Sequence, residues 1–427
     1  MRLTHILGTL FLLTLFYLTP GSSLARDTND YESLKRFSQV LHLIEQHYVQ
    51  KKDRGELIKG AIQGMLQELD PHSSYIDLKE FKLMQEEFSG EFGGIGIQIG
   101  IKDKRLVVIA PIEDTPAYKA GLKAGDLILE IDGESTQGIT LSEAVNKIRG
   151  PKGEPVELTI LHKGAQKPVK IKIIRATIPI HAIKSKELET GYLYLRIIDF
   201  KANTTKELKK AVNKYRANKK LKGIILDLRN NPGGLLDQAI SVSDLFLSDG
   251  LIVYTQGRKK ESRKEYFAHK QKDDITCPLV VLINAGSASA SEIVAGALKD
   301  QKRALLLGEK TFGKGSVQTI IPLSDGSAIK LTIALYYTPS GRSIQAEGIE
   351  PDLNIPFEPA RPKNNNNHVV REEDLTKHLA NPDKDIEKKE KEKREKLKAR
   401  EMLEKDNQLR MALELVKTLP VIKSLKP

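Results

Sequence analysis

Apolar side chains in the N-terminal part of the chain recur at helical spacing. Leu34, Phe37, Val40, Leu41, Ile44 and Tyr48 follow one another at three- and four-residue steps, as on one face of a helix. A second helix is expected over 56–69. It closes before Asp70-Pro71, because proline disfavours helical backbone in the residue that precedes it. From residue 91 the period shortens. Residues 96–99, 106–109, 127–131 and 156–160 read as short strands between glycine-marked turns, with one helical stretch over 141–148. From residue 178 strand and helix alternate: 224–228 then a helix over 235–246, 279–283 then a helix over 290–299, then a strand over 304–307. That rhythm predicts an α/β core. The whole is a multidomain α+β chain. It has an N-terminal helical region (26–90), a β-rich module (91–177), an α/β core (178–358) and a linker with a charged helical tail (359–427). In the tail, 364–367 is an asparagine run and 383–405 carries ten basic against eight acidic residues. Residues 408–419 regain apolar spacing and suit a docked terminal helix.

The extreme N-terminus reads as an address. Met1-Arg2, an apolar run from Ile6 to Leu18 and the small residues up to Ala25 have the layout of a secretory signal peptide, residues 1–25. An uncleaved membrane anchor is the alternative, for which the run is short. The single cysteine, Cys277, excludes an intramolecular disulfide framework and a multi-cysteine zinc site. The net charge is +12, and residues 201–272 hold seventeen basic against seven acidic side chains, so most of the excess lies there. Behind an export signal, that excess suits anionic lipid or acidic protein partners, or a plain solvated face, rather than nucleic acid.

The β-rich module opens on Gly93-Gly94-Ile95-Gly96-Ile97. Glycines let successive N–H groups turn inward as a nest for a carboxylate, with Ile95 and Ile97 lining an apolar slot; an ordinary turn is the plainer alternative. Further on stands Pro116-Ala117-Tyr118-Lys119-Ala120-Gly121-Leu122-Lys123-Ala124-Gly125-Asp126, running into Leu127-Ile128-Leu129-Glu130-Ile131-Asp132-Gly133. This resembles a PDZ domain. The resemblance implies that a peptide C-terminus adds as a strand, its carboxylate held in the glycine loop.

In the α/β core, Asn284-Ala285-Gly286-Ser287-Ala288-Ser289-Ala290-Ser291-Glu292 follows a strand and opens a helix. A serine there meets the positive end of the helix and its free amides. Ser289-x-x-Glu292 is also a capping box, so Ser289 is either a nucleophile or a cap. A serine nucleophile needs a base. No histidine sits in an obvious strand-end motif of this core, and neither G-x-S-G-G nor G-x-S-x-G occurs. Phe312-Gly313-Lys314-Gly315-Ser316-Val317-Gln318 supplies a lysine instead. As a base it must be neutral, several units below the reference value of ~10.4, and hemming by Phe312 and Val317 favours that. On an extended backbone Gln318 shares a side with Lys314 and can hold its amine. Ser327-Ala328-Ile329-Lys330 is the only S-x-x-K, but it enters a strand, where positions three apart face opposite sides.

Taken together, the serine segment 287–292 and Phe312-Gly313-Lys314-Gly315 with Val317-Gln318 resemble a carboxyl-terminal processing peptidase, or tail-specific protease, of the S41 class. Asp70-Pro71-His72-Ser73-Ser74-Tyr75, Asp227-Leu228-Arg229-Asn230-Asn231-Pro232-Gly233-Gly234 and Tyr337-Thr338-Pro339-Ser340-Gly341-Arg342-Ser343-Ile344-Gln345 match as well. The resemblance covers roughly 31–358. It implies a ClpP/crotonase-like α/β core, with Ser289 as nucleophile, Lys314 as general base and Gln318 as its orienting partner. The oxyanion hole would come from the Ala290 N–H and a glycine N–H, Gly233 being favoured but not separated from Gly234. No metal or organic cofactor is implied. Partners would be protein substrates with apolar C-terminal tails and an envelope adaptor. The helical ends are candidate dimer contacts. The place of action would be the bacterial periplasm or cell envelope, with membrane association only peripheral or through an uncleaved N-terminus. Arg149, closing the helix of the PDZ-like module, either gates the core or simply complements the helix dipole.

Overall fold

The computed structural model describes residues 28–112, 114–359 and 386–424. The signal-peptide reading of 1–25 and the linker reading of 364–367 lie outside the described residues. The chain divides into two compact units, the first ending at Tyr75 and the second starting at Ile76.

The first unit holds α1 (Thr28–His47) and α2 (Arg54–Gln67). Asp53 caps α2, its carboxylate accepting from the Glu56 N–H at 3.1 Å, one of the donors that a helix start leaves open. That cap sets the start two residues before the expected one. Arg54 pairs with Glu45 of α1 through two contacts of 2.6 Å. After α2 the Asp70 carboxylate accepts from the N–H groups of His72 and Ser73, so this motif is a side-chain-capped turn. The apolar stripe of α1 is exposed, Leu34 at 68% and Val40 at 50%. A short strand, β1 (Ser74–Ile76), spans the division between the units.

In the second unit α3 (Leu78–Ser89) begins on an Asp77/Glu80 capping box and stops at Gly90, φ +75. After β2 (Glu91–Gly94) comes a six-stranded antiparallel sheet. Its strands are β3 (Ile97–Lys102), β4 (Arg105–Pro111), β5 (Leu127–Ile131), β6 (Glu134–Ser135), β7 (Pro155–Leu161) and β8 (Val169–Ile174). They lie in the order β3-β4-β5-β7-β8, with β6 on β5. Two helices belong to this module, α4 (Pro116–Lys119) and α5 (Leu141–Ile148). Leu106, Val108, Ile128, Ile131, Leu158 and Ile160 fill its core. Strand β3 is an edge, and α5 packs beside it. The module returns through β9 (Ala176–Pro179), which pairs with β2, so its entry and exit run side by side.

Beyond it, β10 (Ile183–Glu189), β11 (Tyr192–Ile197) and β12 (Gly223–Asp227) begin a second sheet, with α6 (Thr204–Arg216) between the last two and α7 (Leu236–Asp244) after them. Strands β13 (Leu251–Gly257) and β14 (Lys264–Phe267) leave it. Strand β15 (Leu279–Ile283), helix α8 (Ala290–Asp300) and strand β16 (Leu305–Gly308) rejoin it. The antiparallel pair β17 (Ser316–Pro322) and β18 (Ala328–Tyr337) adds to β13, and β19 (Leu353–Asn354) completes the main sheet. That sheet is parallel from β11 to β19, in the order β10-β11-β12-β15-β16-β19. The tail forms α9 (Ile386–Lys405) and α10 (Asn407–Ser424).

Strands β12 and β15 are buried on both faces. Ile224, Leu226, Val281 and Ile283 pack with the apolar side chains of α6, α7 and α8. Ile225, Val280 and Leu282 pack with Leu409, Ala412, Leu413 and Val416 of α10. Two-sided burial is why these strands read as unbroken apolar runs. The helix expected to dock over 408–419 does so, as a layer of the core. At the α9–α10 junction Asp406 and Gln408 grip Arg229, just beyond β12: Nη2 lies 2.6 Å from Asp406 Oδ2 and Nη1 2.8 Å from Gln408 Oε1. The same guanidinium donates to Asp227 at 2.8 Å.

Candidate active site

Three serines crowd the loop between β15 and α8, and their partners separate them. The Ser287 hydroxyl donates to the Leu228 carbonyl at 2.8 Å, and that of Ser291 to the Asn231 carbonyl at 3.0 Å. Both are fully buried and tie the start of α8 to the loop after β12. Ser289, between them, lines a cavity of about 770 Å³. Its backbone sits at φ +54, ψ −112, a region that residues with a Cβ avoid. The Ser289 N–H donates to Glu292 Oε2 at 2.8 Å. The Glu292 N–H turns to the Ser289 carbonyl at 2.9 Å. Ser289 and Glu292 thus sit as the capping box that their spacing predicts, with the Glu292 carboxylate holding the Ser289 N–H. Ala290 supplies the first amide of α8, which no intrahelical carbonyl can reach.

Glu292 does more than cap. It is fully buried, and four donors converge on it: the Ser289 N–H, the Lys314 N–H at 2.9 Å, the Gly313 N–H at 2.7 Å and the Thr311 hydroxyl at 2.6 Å. Burial pushes its carboxyl above the ordinary value, against the pull of these donors. One carboxylate thereby sets the Ser289 backbone and the Lys314 backbone in a common frame. Lys314 lines the same cavity as Ser289, and Gln318 joins it there. A bulge between Val317 and Gln318 breaks the strict alternation of β17. The Gln318 amide donates to Ser316 Oγ at 2.8 Å and to Thr332 Oγ1 at 3.3 Å, which fixes its plane. Val317 is buried, but Phe312 is 64% exposed and does not hem the lysine as its sequence position suggests. No histidine lines the cavity among the described residues. Ser327 of the S-x-x-K motif spends its hydroxyl on Asp325 in a turn.

The loop after β12 approaches from the other side. Asn231 is fully buried, donating to the Ile197 carbonyl and accepting from the Gly233 N–H, both at 2.9 Å. Gly233, at φ +108, has no room for a side chain: a Cβ would lie 2.8 Å from that of Ser289. The Gly233 carbonyl accepts from the Phe200 N–H at 2.9 Å, and the Leu235 N–H donates to the Phe200 carbonyl at 2.8 Å. This parallel bridge leaves the N–H of Gly234 pointing away from Phe200.

One cavity residue escaped the sequence reading. Tyr336, on β18, lines the same cavity as Ser289, and burial pushes its phenol up to about 12. Tyr336 sits in a strand, outside the serine and lysine motifs, and an apolar run gives no sign of it.

The glycine loop of the β-rich module needs correcting in part. Gly93 and Gly94 belong to β2 and pair with Thr177 and Ala176 of β9. A Cβ on Gly93 would meet the Gly150 carbonyl at 2.1 Å, so close packing explains that glycine. Ile95 is 1% exposed and fills the module's core rather than lining a slot. Gly96, φ +78, makes the turn into β3, and Ile97 starts that edge strand. Arg149 closes α5, yet the carbonyls at that helix end are met by Arg175, which donates to Lys147 and Ile148 at 2.9 Å each. Arg149 instead stacks on Phe92 of β2, its guanidinium carbon 4.2 Å from the ring centroid.

Among the described residues no cluster of His, Cys, Asp or Glu could hold a metal ion, and no helix is long and apolar enough to cross a membrane. The peptidase family S41 model matches residues 191–355, a PDZ domain model 107–161, and the model of the activating protease CtpB N-terminal domain 19–80. A carboxy-terminal-processing protease of Bartonella bacilliformis is 48% identical over 353 residues, covering 82% of this chain and 81% of that protein. The carboxy-terminal processing proteases CtpA and CtpB of Bacillus subtilis are 40% and 37% identical, over 80% and 79% of this chain and 73% and 70% of theirs. The chain therefore belongs to the carboxy-terminal processing proteases, serine-type peptidases of family S41 that carry a PDZ domain.

Proposed function

We propose that this protease cuts protein substrates with a Ser289/Lys314 dyad, after its PDZ module has taken hold of an apolar C-terminal tail. The observation that carries the reading is one cavity lined by Ser289, Lys314 and Gln318 together, with Ser289 at the start of α8 and no histidine among its lining residues. Lys314 accepts the Ser289 proton as Oγ attacks the scissile carbonyl, and returns it to the leaving amine; water then resolves the acyl-enzyme. Gln318 orients the amine without adding charge. The oxyanion receives the Ala290 N–H and a loop amide. The Gly233 N–H is spent on Asn231, so Gly234 is the better donor, with Gly233 keeping the approach open. The tail adds as a strand to the free edge of β3, beside α5. Arg149 on Phe92 couples that module to β2, whose preceding helix α3 lends Met84 and Phe88 to the cavity wall. The apolar run at 6–18 supports export.

The test is cleavage of a protein ending in an apolar tail by purified wild type, Ser289→Ala and Lys314→Ala. Both variants are expected to lose turnover while retaining tail binding. Residual cleavage near the wild-type rate in either one removes that residue from the dyad.

A further inference from the structure

Strands β14, β13 and β18 form one wall of the cavity, and their register sets a row of side chains on it. Lys264 stands opposite Thr255, and Thr255 opposite Tyr336. Directly opposite residues share a face of a sheet, and all three line the cavity together with Ser289 and Lys314. The main-chain N–H of Tyr336 donates to the carbonyl of Gly315, the residue after Lys314, at 2.6 Å. The row therefore starts beside the proposed base and ends two strand spacings away, about 10 Å, on a lysine. Thr255 and Tyr336 are buried, whereas Lys264 is exposed and lies on the edge strand. The turn that leads into it is fixed: the Gly257 N–H donates to Ser262 Oγ at 3.1 Å, and a Cβ on Gly257 would meet that oxygen at 2.8 Å.

Charge on the other face of these strands is already matched. Arg263 lies over the Tyr254 ring, 3.9 Å from its centroid, and pairs with Glu265 at 2.6 Å. Tyr254 in turn stacks on Tyr337 with centroids 4.9 Å apart. Extended backbone sends neighbouring side chains to opposite faces, so of two adjacent cations one is engaged outside and the other turns to the cavity. The remaining charged residues of the cavity are Glu87, Asp199, Asp237, Lys314 and Lys330. Glu87 and Asp199 both meet Lys201, at 4.0 and 3.6 Å. Among the described residues no carboxylate is ion-paired with Lys264. Lys330 stands six positions from Tyr336 along β18, about 20 Å, twice as far as Lys264.

We propose that Lys264 is a specificity-determining residue, which favours substrates carrying an aspartate or glutamate within about three residues of the cleaved bond. An extended peptide advances about 3.3 Å per residue, so three residues cover the distance from the reacting pair to this ammonium. A substrate carboxylate there gains a charge-assisted hydrogen bond, and a basic side chain is repelled. The inference deepens the proposed function and rests on Ser289 being the nucleophile.

The experiment uses quenched fluorescent peptides that share one apolar C-terminal tail and one cleaved bond, located beforehand by mass spectrometry. Glutamate, glutamine or lysine is stepped through the three positions on each side of that bond. The readout for each enzyme is the ratio of kcat/KM between the glutamate and the lysine peptide, which does not depend on how much of a preparation is active. Wild type should favour glutamate by about 10-fold at one position or more, attraction of one side chain and repulsion of the other together. The preference should shrink in about 0.5 M salt. Lys264→Glu should invert it and Lys264→Gln abolish it. Arg263→Glu, which makes the same change of charge on the other face, should leave it standing. A ratio that is the same at every position in wild type and both Lys264 variants overturns the proposal, as does an equal inversion in Arg263→Glu. Cleavage of these peptides by Ser289→Ala refutes the nucleophile instead, so the two failures are distinct.

Discussion

Glu292→Gln is nearly isosteric, yet it should be costly. The carboxylate offers two oxygens, and each accepts two donors: Ser289 N–H and Lys314 N–H on Oε2, Gly313 N–H and Thr311 hydroxyl on Oε1. A glutamine keeps one oxygen and turns the other into an NH₂. If the amide faces Gly313 and Thr311, the Thr311 hydroxyl can rotate to accept, but the Gly313 N–H is orphaned against another donor. If it faces the other way, two main-chain donors are orphaned, and both belong to residues that carry the proposed chemistry. A buried donor without a partner costs about 1–3 kcal/mol, and the retained bonds lose their charge assistance. The expected destabilisation is roughly 2–4 kcal/mol, with the first orientation preferred. Urea unfolding followed on the protease core should show a lower midpoint at unchanged slope. Fluorophosphonate labelling of Ser289 should slow, because the frame shared by the serine and lysine backbones has loosened. A shift worth less than about 0.5 kcal/mol together with an unchanged labelling rate would refute the reasoning, since that is the scatter of an ordinary surface substitution.

Two further predictions follow from single contacts. Arg149→Ala removes the stacking on Phe92, worth about 0.5–1 kcal/mol at such a site, and should reduce stimulation by a tail peptide while leaving tail affinity intact; equal stimulation in variant and wild type, measured by cleavage with and without peptide, would deny it a gating role. Asp199, on the cavity wall, has its carboxyl raised by burial, partly countered by Lys201. A carboxyl raised in the folded state favours folding below its unfolded value of 3.8, and that contribution disappears as pH rises through the folded value. The stability difference between Asp199→Asn and wild type should therefore move in favour of the variant as pH rises from about 4 toward neutrality, which urea melts across that range will show or deny.

Much of this architecture could be read from patterns with one dominant cause. Strands β12 and β15 announce themselves because both faces are buried, and α5 begins and ends where its apolar spacing says. The choice among Ser287, Ser289 and Ser291 is different. Spacing to Lys314 favours the middle one only through family resemblance; the physical reason is that the outer two hydroxyls bind carbonyls of a loop some 60 residues earlier. Gly93 and Ile95 misled because local chemistry cannot tell a glycine needed for a ligand from one needed by a neighbouring carbonyl. Arg149 and Arg175 show the same limit. Helix-end position pointed to the first, whereas the sheet placed the second there from 27 residues away. Tyr336 had no local signature, since the cavity it lines is assembled from distant segments.

The grip of Asp406 on Arg229 spans 177 positions of sequence. Arg229 stands directly before the Asn230–Gly234 turn that faces Ser289. During synthesis, Ser289, Lys314 and the glycines all leave the ribosome well before the residue that steadies their loop. The chain thus makes its proposed cutting groups before the residue that fastens their loop. A molecule clipped ahead of Asp406 keeps those groups but leaves the Arg229 guanidinium to Asp227 alone, so a steady loop waits on a segment far downstream.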